Sequence, residues 1–244
     1  MDVVTLGESM VLLTPTTTGP LRYAHTFSRG LGGAESNVAI GLARLGKKAG
    51  WMSRVGNDEL GEYVVSTIRG EGVDTSAVKR DPHAPTGLYL KERRTPDQLR
   101  VYYYRRGSAA SRLMPGDLDE AYMRQANVLH LTGITPSLSE SCREAVEHAF
   151  AIALRHQLTV SFDPNIRLKL WTLEEAGPVL RRFISQSDIV LPGLEEGKWL
   201  YSETDPERLA EKILDTGPHV CVVKLGARGR TLRRGTGRKG LSPG

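Results

Sequence analysis

The chain has 244 residues, of which 39% are hydrophobic and 25% charged, a balance typical of one globular α/β domain with enough chain to bury a core. Its formal net charge of +5 is concentrated near the C-terminus, and the absence of a basic amphipathic helix or an aromatic-interleaved basic patch excludes a nucleic-acid-binding protein. No apolar run of about 18 residues occurs, which excludes a membrane-spanning helix.

In chain order, short apolar runs predict strands, and the amphipathic segments between them predict helices. We expect strands at 3–6, 50–55, 128–131, 159–162, 189–191 and 220–225, and helices at about 36–45, 58–70, 139–155, 173–184 and 206–215. Several of the strands are continuously apolar and β-branched, as in a sheet that is covered on both faces. The alternation predicts a doubly wound, mainly parallel sheet with helices on both faces.

A glycine-rich turn precedes the first helix. Gly32 and Gly33 allow the backbone to approach a ligand closely, and Asn37 in the first turn can hydrogen-bond a hydroxyl group. Gly46 stands where a helix commonly ends in a left-handed glycine. A Gly-Gly pair before a helix is by itself weak evidence of a binding site.

Two regions interrupt the alternation. Residues 10–14, 86–92 and 99–105 are strand-like but have no helices between them, and Thr95-Pro96-Asp97 joins the last two as a hairpin-like loop. These segments predict a small separate β-sheet. The alternative is an extension of the main sheet at its edge.

Polar side chains cluster directly after the strand at 159–162. Asp163, Asn165 and Arg167 surround a break at Pro164, and ligands of open α/β sheets bind at such strand ends. A planar arginine cation suits a carboxylate or a phosphate. The alternative is an Asp-Pro-Asn turn followed by a solvated arginine.

The compartment is indicated by the cysteines and the N-terminus. Cys142 and Cys221 are far apart in apolar segments, so they predict reduced core residues and not a disulfide or a metal site. The chain enters a predicted strand at Val3 with no signal-peptide pattern before it. We therefore expect a cytoplasmic protein.

Two motifs carry a family resemblance. The segments GGAESN (32–37) and VGNDELG (55–61) resemble the N-terminal signature of the PfkB, or ribokinase-like, carbohydrate kinases, over about residues 1–229. Within that family, YYYRRGSA (102–109), HLTGI (130–134) and DPNIR (163–167) are most similar to the 2-keto-3-deoxygluconate kinases. The resemblance implies a ribokinase-like fold in which the small sheet is a lid over the sugar. It also implies small-molecule partners, a sugar acid and ATP, and relatives commonly form homo-oligomers through the lid.

The resemblance implies a set of sugar-binding residues: Gly33, Ala34, Asn37, Tyr89, Tyr103, Arg105 and Arg167. Tyr103 and Arg105 are two residues apart and share one face of a strand, so a ring can pack on sugar carbons while the guanidinium takes a carboxylate. Ordinary strand packing is the alternative for the tyrosines. Two arginines favour a sugar acid over a neutral sugar such as fructose or ribose.

On the nucleotide side, the resemblance implies ATP contacts at Asn165, Lys224, Gly226 and Gly229, with Mg²⁺ as the accompanying cation. An Asn-x-x-Glu motif organises Mg²⁺ and phosphate in the family. Here Glu196 matches its acid, but Gly193 replaces the asparagine. The alternative for this segment is a helix N-terminus with acids near the dipole.

The C-terminal part departs from the family. In the family, the backbone amides of a Gly-Ala-Gly-Asp turn hold the transferred phosphoryl group, and its aspartate is the general base. No Gly-Ala-Gly-Asp turn occurs in this sequence, so the catalytic residue is unassigned. From residue 230 the sequence changes to Arg and Gly and lacks the apolar alternation of the expected hairpin. We interpret 1–229 as an incomplete kinase domain, with lid strands at about 10–30 and 86–106, and 230–244 as a basic tail. The tail is either out-of-frame translation or a genuine short variant.

The resemblance thus implies an ATP-dependent kinase that phosphorylates 2-keto-3-deoxygluconate at its 6-hydroxyl, and we expect the missing turn to impair it. A non-catalytic sugar-acid-binding remnant and a kinase for a neutral sugar are the alternatives.

Overall fold

The computed structural model describes residues 1–95 and 98–235, and no helix within these ranges is long and apolar enough to cross a membrane. These ranges contain twelve strands, numbered in chain order: β1 (Val3–Leu6), β2 (Met10–Pro15), β3 (Phe27–Gly32), β4 (Ala49–Gly56), β5 (Val78–Asp81), β6 (Leu88–Thr95), β7 (Gln98–Tyr104), β8 (Val128–Thr132), β9 (Thr159–Asp163), β10 (Ile189–Val190), β11 (Val220–Lys224) and β12 (Arg230–Arg234). The helices are α1 (Ala34–Arg44), α2 (Glu59–Gly70), α3 (Glu120–Met123), α4 (Glu140–Arg155), α5 (Leu173–Gln186), α6 (Leu194–Tyr201) and α7 (Pro206–Leu214).

The main sheet has eight strands in the order β12-β11-β10-β9-β8-β1-β4-β5, and all pairs are parallel except β11–β12. The chain leaves β1 toward β4 and β5 on one side and later adds β8 and its successors on the other. The order therefore reverses between β1 and β8. The carboxyl ends of the strands beside such a switch point form the expected ligand site of an open sheet.

The second sheet is small and separate, in the order β3-β2-β6-β7. Its β2–β6 pair is parallel, whereas β2–β3 and β6–β7 are antiparallel. This confirms the predicted lid sheet and excludes an edge extension of the main sheet. Of the predicted hairpin loop, Thr95 pairs with Gln98, while Pro96 and Asp97 lie outside the described residues.

Helix boundaries follow the capping chemistry. The Asp58 side chain accepts the Gly61 N–H at 2.7 Å and so caps α2. Asp205 caps α7 in the same way, with Pro206 at the first helical position. Gly46, which ends α1, has φ +79°, a conformation that favours glycine. Polar caps of this kind explain why most predicted helices match the observed ones within about two residues.

The larger core lies between the main sheet and α4, α5 and α7. Its centre is an aromatic cluster in which Phe150 stacks on Phe183 at 5.0 Å between ring centroids and Phe162 meets Phe183 edge-on at 5.8 Å. Cys142 and Cys221 are buried and free, as predicted. This core holds in place the strands whose carboxyl ends form the candidate site.

Some elements differ from those predicted from the sequence. Arg230–Arg234, assigned to the tail, form β12 and pair with β11 over five residues, because an edge strand tolerates charged side chains. The sheet thus continues past residue 229, and residues 236–244 of the tail lie outside the described residues. The strand β5 and the helices α3 and α6 were not predicted, since VKRD is largely polar and the two helices have only four and eight residues.

Candidate active site

Two adjoining cavities open at the carboxyl ends of β9, β10 and β11. The larger, of about 1170 Å³, lies between residues 99–106 of the lid and 166–170 of the loop after β9. The smaller, of about 670 Å³, lies between that loop, the start of α6 and the turn after β11. Ile166, Arg167 and Trp199 line both cavities. The shared wall places two ligand-sized spaces side by side, as a transfer reaction between two substrates requires.

The larger cavity contains the predicted aromatic wall. Tyr103 lines it, and its ring stacks on Tyr89 with 5.5 Å between centroids. Burial, with a smaller effect of Tyr103, raises the pKa of the Tyr89 phenol, so this hydroxyl remains protonated at neutral pH. The Lys169 ammonium lies 5.7 Å from the Tyr103 centroid. The tyrosine pair offers a flat surface for sugar carbons, with cations beside it.

Arg105 lines the same cavity, but it is paired with a carboxylate. Its guanidinium contacts Glu8, which also accepts a hydrogen bond from the Ser108 hydroxyl at 3.0 Å. Burial raises the pKa of Glu8, whereas the Arg105 charge lowers it. Glu8 was not predicted as a site residue. Its position directly after the buried strand β1, at the carboxyl edge of the sheet, is the signal that could have identified it.

Arg167 reaches the shared wall from a polar turn. Asn165 has φ +37°, and its N–H donates to the Asp163 carboxylate at 3.2 Å, so the Asp-Pro-Asn segment is a side-chain-stabilised turn. Arg167 itself is exposed and forms no ion pair with any residue in the described ranges. The Asp-Pro-Asn turn and a ligand-binding role of Arg167 were treated as alternatives, but the two are compatible. The turn holds the uncompensated Arg167 cation between the two cavities.

The glycine-rich turn does not reach the larger cavity. A Cβ on Gly33 would lie only 2.4 Å from the Ser9 hydroxyl, so the space that glycine leaves is filled by the protein itself. Gly33 and Ala34 line neither cavity. Asn37 is exposed and lines a separate cavity of about 380 Å³ beside Arg44. The structure therefore does not bring these three predicted sugar contacts to Tyr103 and Arg167.

The smaller cavity contains part of the predicted nucleotide site. Lys224 and Gly226 line it, and the Lys224 ammonium donates to Asp163 at 2.6 Å. Gly226 has φ +60° and Gly229 has φ +91°, so the turn after β11 needs glycine at both positions. Gly229 and Asn165 line neither cavity.

Glu196 holds the segments around the smaller cavity together. Its two carboxylate oxygens accept the backbone N–H groups of Ile166, at 2.8 Å, and Gly193, at 2.6 Å. Burial raises its pKa, and the Gly193 N–H opposes that rise. A Cβ on Gly193 would come no closer than 3.4 Å to Glu196, so the position has room for a β-carbon. Within the described ranges no group of three or more His, Cys, Asp and Glu side chains is arranged to hold a metal ion.

Removal of the Glu196 carboxylate is expected to destabilise the fold. Glu196→Ala leaves two partly buried amides without acceptors, which costs about 2 kcal/mol of unfolding free energy. Urea unfolding measures this loss, and Glu195→Ala is the matched control, because Glu195 is exposed in the same first helical turn. An equal loss in the two variants would show that only the charge near the helix N-terminus matters.

Besides Glu8, another buried carboxylate that was not predicted from the sequence lies at the switch point between β1 and β8. Glu35, in the first turn of α1, is fully buried and accepts hydrogen bonds from Thr132 at 2.7 Å and Thr135 at 2.9 Å. A Cβ on Gly7 would lie 2.2 Å from its carboxyl carbon, so the glycine makes room for it. Burial raises the pKa of Glu35 to about 7. Its contacts tie α1 to the loop after β8.

Comparison with known proteins identifies the family. The family described as pfkB family carbohydrate kinase matches residues 1–241. The chain belongs to the PfkB family of carbohydrate kinases. It is therefore a kinase by family, and ATP is the phosphoryl donor that the family implies.

Relatives and solved structures agree with this assignment. The 2-dehydro-3-deoxygluconokinase of Bacillus subtilis is 41% identical and is aligned over 97% of this chain and 74% of its own length. The enzyme of the same name from Thermoproteus tenax is 39% identical, over 94% of this chain and 70% of its own length. The crystal structure of a PfkB protein from Polaromonas sp. JS666 has a TM-score of 0.91 and 42% identity, and covers 95% of this chain and 79% of that one. The predicted family and ribokinase-like fold are confirmed.

Proposed function

We propose that this PfkB kinase transfers the terminal phosphoryl group of ATP to the 6-hydroxyl of 2-keto-3-deoxygluconate, also called 2-dehydro-3-deoxygluconate. One observation carries the substrate class: Arg167 stands without an ion-pair partner among the described residues, on the wall that both cavities share. The names of the two curated relatives support the same substrate.

On the sugar side, the chain would bind the substrate by its two ends. The carbon chain packs on Tyr103, whose ring is backed by Tyr89. The carboxylate lies against Arg167, with Arg105 and Lys169 at the sides of the same space. Because Arg167 lies on the wall shared with the smaller cavity, transfer requires the sugar acid to bind in a folded form, with its 6-hydroxyl also facing that cavity. This orientation positions the acceptor beside the phosphoryl donor, which is the main contribution a kinase makes to transfer.

On the nucleotide side, the smaller cavity suits ATP. Its wall combines the left-handed turn at Gly226 with two cations, Lys224 and Arg228. ATP supplies the transferable phosphoryl group when bound. For Mg²⁺, the described residues provide no cage, and both oxygens of Glu196 are occupied by backbone donors. A divalent cation held chiefly by nucleotide phosphates and water fits this arrangement better than one held by protein ligands.

The compartment in this proposal is the cytoplasm. Cys142 and Cys221 are buried and free, and burial raises the pKa of their thiols to about 11 and about 12. Such thiols stay protonated and inert in a reducing compartment.

The general base of the transfer is not assigned by the described residues. Asp163 and Glu196 are carboxylates near the shared wall, but Asp163 pairs with Lys224 and Glu196 with backbone amides. Neither is free to accept the proton of the sugar hydroxyl, a step worth on the order of 10²–10⁴ in rate.

Calorimetry on the purified 244-residue chain tests the proposed function. We expect 2-keto-3-deoxygluconate to bind at least about tenfold more tightly than fructose or ribose, because neither neutral sugar offers a carboxylate to Arg167. A coupled ADP-release assay alongside should favour the sugar acid over both neutral sugars. Neutral sugars that bind as tightly as the acid, or that turn over as fast, would contradict the substrate assignment.

A further inference from the structure

Glu8 lies behind the larger cavity and contacts one of the residues that line it. Arg105 lines that cavity, whereas Glu8 is not part of its wall and is only 3% exposed. The Glu8 carboxylate contacts the Arg105 guanidinium directly. The two residues follow β1 and β7, so their contact joins the main sheet to the lid sheet.

The residues around Glu8 hold its carboxylate in place for the contact with Arg105. The Ser108 hydroxyl donates to its other oxygen at 3.0 Å, and the Ser108 residue itself begins a short 3-10 helix over Ala109–Arg112. A Cβ on Gly87, just before β6, would lie 2.9 Å from the same carboxylate, so glycine is needed there for the approach. Two segments of the chain, at 87 and at 105–108, thus converge on the Glu8 carboxylate.

The pairing leaves one donor of Arg105 without a partner. The Arg105 Nε is buried and has no hydrogen-bond partner among the described residues. The guanidinium is therefore anchored by Glu8 but not saturated by it. It also stays near the aromatic wall, with its central carbon 5.7 Å from the Tyr103 centroid.

We propose that Glu8 is a positioning residue for the sugar acid, because it fixes the guanidinium of Arg105 at the cavity wall. Arg105 then orients the bound sugar acid, whereas Arg167 supplies the net positive charge that attracts its carboxylate. The inference rests on the proposed function. A paired Arg–Glu unit has no net charge, so its attraction for a distant carboxylate is weak. An anchored guanidinium, however, loses less freedom when it hydrogen-bonds a ligand.

The two possible roles of Glu8, as a nearby negative charge and as an anchor for Arg105, predict opposite effects of Glu8→Gln on binding of the sugar acid. Glu8→Gln removes a negative charge close to the site, and electrostatics alone would therefore tighten the binding of an acid. If Glu8 acts by positioning, the same change weakens binding, because a neutral amide holds Arg105 less firmly. We expect the dissociation constant for 2-keto-3-deoxygluconate to rise roughly tenfold, the size of one charge-assisted hydrogen bond.

The experiment is calorimetry with 2-keto-3-deoxygluconate on the wild type, Glu8→Gln, Arg105→Ala and the double variant. In the Arg105→Ala background, Glu8→Gln should change the dissociation constant by less than about twofold, since the group it positions is gone. Glu62→Gln is the control for charge, because Glu62 is an exposed partner of Arg80. Unchanged or tighter binding by Glu8→Gln would overturn the inference while leaving the proposed function intact.

Thermal unfolding of the same proteins supplies an independent check. Arg105→Ala strands a buried carboxylate and should lower the melting temperature by about 5 °C or more, and Glu8→Gln in that background should restore part of the loss. Additive effects on melting would show that the two side chains are not coupled and would overturn the inference. A wild-type chain that binds no sugar acid would instead overturn the proposed function, and this inference with it.

Discussion

Arg167→Ala is expected to weaken the binding of 2-keto-3-deoxygluconate about 100-fold, because it removes an uncompensated cation that can grip a carboxylate with two hydrogen bonds. The residue lines both cavities and follows a turn whose geometry is set by Asp163 and Asn165, not by Arg167. The substitution should therefore leave the fold unchanged. Calorimetry with the sugar acid gives the dissociation constant directly.

A neutral ligand and a second cation provide the controls for Arg167. Fructose affinity should change by less than about threefold in Arg167→Ala, since a neutral sugar does not use the charge. Lys169→Ala should weaken the sugar acid by only about threefold, because a lysine beside Tyr103 is a point charge on a flexible stem. Equal losses for the acid and for fructose would contradict the assignment of Arg167 to the carboxylate.

The second large effect concerns Glu35 and the pH dependence of stability. Burial raises the pKa of Glu35 from 4.5 to about 7, while hydrogen bonds from Thr132 and Thr135 oppose the rise. Between these two pH values the folded chain keeps a proton that the unfolded chain has released. Raising the pH through this window therefore favours unfolding. The contribution is fully present below about pH 4.5 and is lost by about pH 7, a change of about 3 kcal/mol.

Glu35→Gln isolates this contribution, because glutamine keeps an oxygen for Thr132 and Thr135 but does not titrate. We expect the unfolding free energy of the wild type relative to the variant to fall by about 3 kcal/mol from pH 4.5 to pH 7. Urea unfolding at several pH values measures it. His130, whose pKa burial lowers to about 4, contributes with the opposite sign in both proteins and cancels in the difference. A difference that does not vary with pH would show that Glu35 does not titrate in this range.

Much of the fold could be predicted because its signals are local. The strand β1 was predicted with its observed bounds, and the caps at Asp58 and Asp205 lie within a few residues of the apolar faces that they precede. The lid sheet was recognised by the absence of helices between its strands. By contrast, β12 has charged side chains and is a strand only because β11 offers it a free edge, a condition that depends on the whole sheet.

Site residues could be predicted where they lie close together in one segment of the sequence. Tyr103 and Arg105 lie in one motif and do line one cavity, and Arg167 follows a recognisable turn. What the sequence could not show is pairing across the chain. The partner of Arg105 is Glu8, nearly one hundred residues earlier, and this contact exists only after the lid has packed on the main sheet.

The glycine-rich turn shows the opposite limit. Gly32 and Gly33 were predicted to let the backbone approach a ligand closely, and the structure shows which protein groups lie against them: a Cβ on Gly32 would lie 2.1 Å from the Tyr89 hydroxyl and one on Gly33 would lie 2.4 Å from the Ser9 hydroxyl. A glycine requirement is visible in a sequence, but the identity of the group that approaches is not. The same holds for Asn37, whose place on α1 leaves it beside Arg44.

A crystal structure of this chain with 2-keto-3-deoxygluconate tests the central claim most directly. The account predicts that the sugar acid occupies the larger cavity, with its carboxylate within about 3.2 Å of the Arg167 guanidinium, its carbons on Tyr103 and its 6-hydroxyl toward the smaller cavity. A carboxylate that points away from Arg167, or a sugar acid bound beside Asn37 and Arg44, would contradict it.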